Sequence, residues 1–93
     1  MSNKLEVDVL TDVINSPVLQ FPGRRFPGVL VQGDSLKTMA DLATEIVERI
    51  AVGDSEEARS VADELRGILR SRLDVYEKVL KLNGLALPYS PES

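Results

Sequence analysis

The stretch Phe26-Pro27-Gly28-Val29-Leu30-Val31-Gln32-Gly33-Asp34-Ser35-Leu36 decides the fold, because the hydrophobic period changes within it. Up to Val31 the residues are β-branched or aliphatic and follow a Pro-Gly pair, which reads as a strand leaving a turn. After Gln32-Gly33 the apolar residues Leu36, Met39, Ala40, Ala43, Ile46, Val47 and Ile50 recur at helical spacing. That spacing predicts an amphipathic helix over about 35–52, with Asp34 or Ser35 as its N-cap and Gly53 as its stop.

Upstream, Lys4 to Leu10 alternates. Leu5, Val7 and Val9 point one way and Lys4, Glu6 and Asp8 the other, as in a half-buried strand. This first strand is expected over about 4–14, a second over 18–21 and the third over 26–32, with Asn15-Ser16-Pro17 as a turn between the first two. Downstream, Asp54 with Glu57 three residues later forms a capping-box pattern. A second helix is expected over about 55–83, stopped by Gly84, and an extended tail over 84–93 with Pro88 and Pro91. The fold class is therefore α+β in one domain spanning 1–93: a three-stranded antiparallel sheet packed on two helices, the second long. The tail offers room for a fourth short strand.

Ninety-three residues suffice for one core, which must be built from Leu, Val, Ile and Ala because the only aromatics are Phe21, Phe26, Tyr76 and Tyr89. Neither Cys nor His is present. Disulfides, thiolate or imidazole metal sites and the commonest catalytic nucleophile–base pairs are excluded with them. The remaining acids, among them Glu56, Glu57, Asp63, Glu64, Asp74 and Glu77, alternate with Arg59, Arg66, Arg70, Arg72, Lys78 and Lys81. Such interleaving is the pattern of a solvated helix face. The expectation is of no enzyme: no catalytic residue, no metal and no cofactor. A formal charge of −4 works against nucleic-acid binding. No apolar run is long enough to span a membrane, and the N-terminus carries no apolar h-region, so a cytoplasmic protein is expected, and its brevity and composition suggest a bacterial one.

Phe21-Pro22-Gly23-Arg24-Arg25-Phe26-Pro27-Gly28 repeats Phe-Pro-Gly at a spacing of five. Each Pro-Gly pair favours a tight turn, which presents Arg24 and Arg25 on a short stiff loop. Phe21, Arg24, Arg25 and Phe26 are the candidate partner-binding residues, through charge-assisted hydrogen bonds to carboxylate or phosphate. The alternative is a simple connection with two solvated arginines. On the second helix the apolar stripe approaches a heptad seam that Arg72 interrupts. From 55 to 83 at ~1.5 Å per residue is roughly 43 Å, more than one small sheet covers. Either the helix breaks between Gly67 and Arg72 or it finds a partner. Leu65, Leu69, Val75, Tyr76 and Val79 are the candidate dimer contacts.

Pro22 to Leu36 resembles the signature of a small bacterial family of unknown function, which implies no activity. Pro27-Gly28 and Gly33-Asp34-Ser35-Leu36, with Asn83-Gly84-Leu85-Ala86-Leu87-Pro88, are also similar to motifs of the HicB antitoxin N-terminal domain. That likeness implies a β-β-β-α scaffold used to mask a protein partner. It departs from the family in the long second helix, and no counterpart of the HicB DNA-binding domain is seen, so operator binding is not implied. The expected function is a non-catalytic protein–protein interaction module, antitoxin- or immunity-like and homodimeric. The alternatives are a small-ligand or phosphate-binding module using Arg24, Arg25 and the Gly33–Ser35 segment, or a structural subunit of a larger complex.

Overall fold

In a computed structural model, which describes residues 3–11 and 17–90, three strands precede two helices. They are β1 (Asp8–Val9), β2 (Val18–Gln20), β3 (Gly28–Val29), α1 (Gly33–Ala51) and α2 (Ser55–Leu82). The architecture is α+β, with an antiparallel sheet of order β1-β2-β3 and a long second helix. Among the described residues the segment after Leu82 contributes no fourth strand. The chain divides into two compact units. One contains the sheet, the end of α2 from Asp74 and the tail; the other is Gln32–Leu73.

In the sheet unit, register decides which residues face the core. Val9 pairs with Leu19 and Val18 with Val29, and the Leu10 amide donates to the Val18 carbonyl at 2.9 Å. Leu10, Val18 and Val29 thus form one cross-strand row, and all three pack in the core cluster with Tyr76, Val79 and Leu80 of α2. The expected phase of β1 is corrected here: Val9 is 61% exposed and Leu5 is also exposed, while Leu10 turns inward. Alternation with Leu5 and Val7 selects Val9, but Leu10, in the opposite phase, is the residue that lies across the ladder from the fully buried Val18 and joins the core. The ladder is also shorter than the alternation predicts. Pro27 has no amide to give, so β3 starts at Gly28. Positions 12–16, including part of the expected first strand and the Asn15-Ser16 turn, lie outside the described residues.

Both helices end in the same device. Gly53 (φ 81) and Gly84 (φ 68) take the left-handed conformation that a side chain would oppose. Gly53 and Asp54 donate to Ile50 and Arg49, at 3.1 and 2.9 Å. Gly84 and Leu85 donate to Lys81 and Leu80, at 3.1 and 2.9 Å. These are two Schellman motifs, which satisfy carbonyls that the helix ends would otherwise leave unpaired. Asp54 then caps α2, its Oδ1 accepting from the Glu57 amide at 3.2 Å. The reciprocal half of the capping box is absent because the Asp54 amide already serves Arg49.

The start of α1 differs from expectation. The N-cap is Gln32, without a side-chain cap, and Asp34 sits inside the first turn with Oδ1 on the Ser35 amide at 2.8 Å. An acid there is favourable against the helix dipole, so Asp34 supports the same helix end from within. α2 runs unbroken through Gly67 to Arg72, which resolves the expected alternatives in favour of a continuous helix.

Leu80 is fully buried and Leu82 is 76% exposed. Leu80→Ala should cost ~2–5 kcal/mol in urea unfolding, whereas Leu82→Ala should stay within ~0.5 kcal/mol. Equal costs for the two would mean that the sheet does not pack on this face of α2.

Candidate functional site

The two Phe-Pro-Gly copies do different things. In the first, the Arg24 amide donates back to the Phe21 carbonyl at 3.3 Å and Gly23 has φ 78. Proline second and a positive-φ glycine third are the requirements of a type II turn. Gln20 braces it, Nε2 donating to the Arg24 carbonyl at 2.8 Å and to the Phe21 carbonyl at 3.2 Å. In the second copy Gly28 has no positive φ and enters β3 opposite Leu19. The expected second tight turn is therefore replaced by a strand entry. Pro27 is buried, and its carbonyl accepts a 2.7 Å hydrogen bond from the Tyr76 hydroxyl on α2. Because proline lacks an amide, its carbonyl is the one backbone group it brings into the interior that needs a partner. Tyr76 supplies it. Burial pushes the Tyr76 phenol above its ordinary 10.0.

The loop's side chains divide in the same way. Phe26 is half-buried, and the Arg25 guanidinium lies 5.2 Å from its ring centroid, a cation–π contact that holds Arg25 along the loop. Arg24 is exposed and Phe21 is 41% exposed, so these two present the accessible surface of the turn. A shallow cavity of about 340 Å³ lies between Arg25, Phe26 and Pro27 and the tail residues Leu85, Ala86 and Leu87. The tail is held by Leu87, which packs on the core, and by the Tyr89 hydroxyl, which donates to Glu77 at 2.9 Å.

The candidate dimer positions on α2 fall into two sets. Tyr76 and Val79 are buried and Val75 is half-buried, all packed in the core of their own sheet unit. Leu65 is half-buried and Leu69 is 50% exposed. In the Gln32–Leu73 unit, the buried residues of α2 are Ala58 and Val61. α1 has none in its 19 residues. Met39, Leu42 and Ile46 are half-buried, while Leu36, Ala40, Ala43, Val47 and Ile50 are exposed, Leu36 at 58%, Val47 at 66% and Ile50 at 63%. The exposed set advances by four, three, four and three residues, which is heptad spacing. Its spacing is visible in the sequence, but only the structure separates this outer stripe from the inner one.

The acids lie on helix surfaces beside bases. Lys37 pairs with Asp41 at 2.6 Å, Arg49 with Glu45 at 3.7 Å and Arg66 with Asp63 at 2.9 Å, each one turn apart and exposed.

A model of a family of unknown function, DUF6959, matches residues 2–89. The chain belongs to this family. No curated protein and no solved structure matches it. The match spans the doubled Phe-Pro-Gly loop, both helices and Tyr76, so the elements described above belong to the family's matched region. Among the described residues no helix is long and apolar enough to cross a membrane.

Tyr76→Phe removes the donor and strands the Pro27 carbonyl in the interior, at an expected cost of ~1–3 kcal/mol. With a folded-state pKa raised above 10.0, the phenol contributes stability that is complete below that pH and is lost as the pH rises through it. The difference in stability between the wild-type protein and Tyr76→Phe should therefore shrink above pH 10.0 in alkaline denaturation. A difference that grows with pH would contradict the assignment.

Proposed function

We propose that this member of the DUF6959 family is a non-catalytic protein-binding module that works as a homodimer, with the outer stripe of α1 as its contact surface. The observation that carries this reading is the exposure of Leu36, Ala40, Ala43, Val47 and Ile50 along a helix with no buried residue. An apolar stripe at heptad spacing gains most when it faces another helix, since each residue then leaves water. Lys37, Asp41, Glu45 and Arg49 pair with one another outside the stripe, so no charge must be stripped of its partner when the stripe is covered.

The stripe also suits a copy of itself. In an antiparallel two-fold pairing centred on Ala43, Ala43 faces its counterpart, Ala40 faces Val47 and Leu36 faces Ile50. Small residues at the middle permit close approach and large ones seal the ends. A two-fold interface needs this kind of self-complementarity. Leu65 and Leu69 of α2 remain able to extend the contact, whereas Val75, Tyr76 and Val79 serve the core. The element order β1-β2-β3-α1 is the one that the HicB resemblance implies, which supports an antitoxin- or immunity-like role for the exposed Phe21–Arg24 turn as the surface offered to a different protein.

Light scattering over a concentration series should give a mass near twice the 10.2 kDa of one chain. Ala43→Glu places a charge at the centre of the stripe without touching the core, and should return the mass to that of one chain while thermal stability of the monomer moves by no more than ~0.5 kcal/mol. A wild-type protein that stays at the single-chain mass up to high micromolar concentration, or an Ala43→Glu protein that stays dimeric, would overturn the reading.

A further inference from the structure

One face of the sheet packs on α2, and the opposite face is apolar as well. Leu10, Val18 and Val29 join the core with α2, so the next row in register, Val9, Leu19 and Gly28, points away from it. The ladder continues to Leu30, whose amide donates to the Pro17 carbonyl at 2.9 Å, and Leu30 falls on the same outer face as Gly28. Phe21 follows Leu19 at the same two-residue spacing. Val9 is 61% exposed, Leu30 48% and Phe21 41%. The alternation that begins at Leu5 thus lines a face that the chain leaves open, and no charged residue stands in phase with it. Gly28 shapes this face. It has no positive φ, and a side chain there would meet no atom within 4 Å. Neither backbone conformation nor packing within the chain calls for glycine at a strand position that β-branched residues favour. What glycine leaves is an open notch beside Leu19, with Leu30 beyond it along the strand.

We infer that the outer face of the sheet docks an amphipathic helix of a different protein, with an apolar side chain of that helix in the Gly28 notch and a carboxylate at its border on Arg24. The inference rests on the protein-binding role given above to the Phe21–Arg24 turn, and it names the chemistry of the partner. Width favours a helix. Three strands ~4.8 Å apart span roughly 10 Å, about one helix diameter, so a single helix covers this face as α2 covers the other. Charge favours a different protein over a second copy. Arg24 is exposed and has no ion pair among the described residues. The hydrogen bond from its amide to the Phe21 carbonyl holds it at the border of the apolar face. Two copies meeting face to face would bring Arg24 no acid, because the outer face carries none. The α1 stripe of a second copy is already engaged in the α1 pairing. A foreign helix with Asp or Glu beside its apolar stripe supplies the missing acceptor through a charge-assisted hydrogen bond.

The probe is a display library of one amphipathic helix, randomised along its apolar stripe and both borders and selected against the full wild-type chain. The selected helices should carry Asp and Glu at a border in excess over Lys and Arg. Titrated singly, they should shift the Val9, Leu19 and Leu30 amides in nitrogen–proton NMR. Gly28→Val fills the notch with a residue that suits a strand. It should therefore hold the thermal midpoint at or above the wild-type value while weakening the selected helices at least about tenfold. Arg24→Glu should weaken them by about the same factor with the midpoint unchanged. If Gly28→Val fails to fold, Arg24→Glu decides alone. Both variants should keep the wild-type mass in light scattering; a fall in mass would give this face to a second copy and overturn the inference. So would a failure to enrich any helix, selected helices without the acidic excess, shifts confined to α1, or unchanged affinity in either variant. The two readings fail separately. A wild-type chain of single-chain mass that still binds the selected helices through Gly28 and Arg24 overturns the α1 pairing and supports this docking face.

Discussion

The hydrogen bond from the Tyr76 hydroxyl to the Pro27 carbonyl ties together parts of the chain 49 residues apart. Everything in the sheet unit is arranged around it. Pro27 is buried where β3 begins beside β2, and its carbonyl is met by a side chain from outside the sheet. Tyr76 is that side chain, and its ring fills the core beside Val79 and Leu80. The sheet alone has strands of two or three residues, too few to stand without a helix on one face. This buried hydrogen bond joins α2 to the Phe21–Gly28 loop at the point where Tyr76, Val79 and Leu80 pack with Val18.

The second constraint is local and economical in residues. The turn between α1 and α2 uses Gly53 to close one helix, and Asp54 both completes that closure through its amide and opens the next helix through its carboxylate. One residue with two hydrogen-bonding ends thereby fixes the spacing of the helices in the Gln32–Leu73 unit. With that spacing set, α1 turns Met39, Leu42 and Ile46 inward and leaves Leu36, Ala40, Ala43, Val47 and Ile50 outside. The exposed stripe follows from the hairpin's geometry combined with an apolar face wider than one neighbour covers. This excess of apolar face is the physical basis for reading the protein as one that binds proteins.

Much of this is legible in the residues alone. The change of period at Gly33, the glycine stops at Gly53 and Gly84 and the cap at Asp54 are local features, and local chemistry determines them. What sequence reading misplaces is set by partners distant along the chain. Alternation assigns Val9 to the core with Leu5 and Val7, and only the pairing with Val18 brings Leu10 there instead. The two Phe-Pro-Gly copies are identical as residues, yet Gly23 has a positive φ and Gly28 does not, because Tyr76 and Leu19 hold only the second copy. Tyr76 and Val79 look like seam residues because α2 is amphipathic throughout, and spacing does not say which stretch meets the sheet. Arg72 is the opposite case. Its breach of the seam is plain in the sequence, and the structure adds that its Nε is desolvated and unpaired.

The central claim is that the outer stripe of α1 is a surface covered by another chain when the protein works. A photo-crosslinking residue placed at Val47, compared with one placed at the exposed Gly67 of α2 and one at Arg24 of the turn, tests it in cells. The account predicts a crosslink from Val47 to residues near Ala40 of a second copy, and none between copies from Gly67. Crosslinks from Arg24 to a different protein would be compatible with it. Irradiation that leaves the Val47 protein as a single chain, at the level of the Gly67 protein, would contradict it.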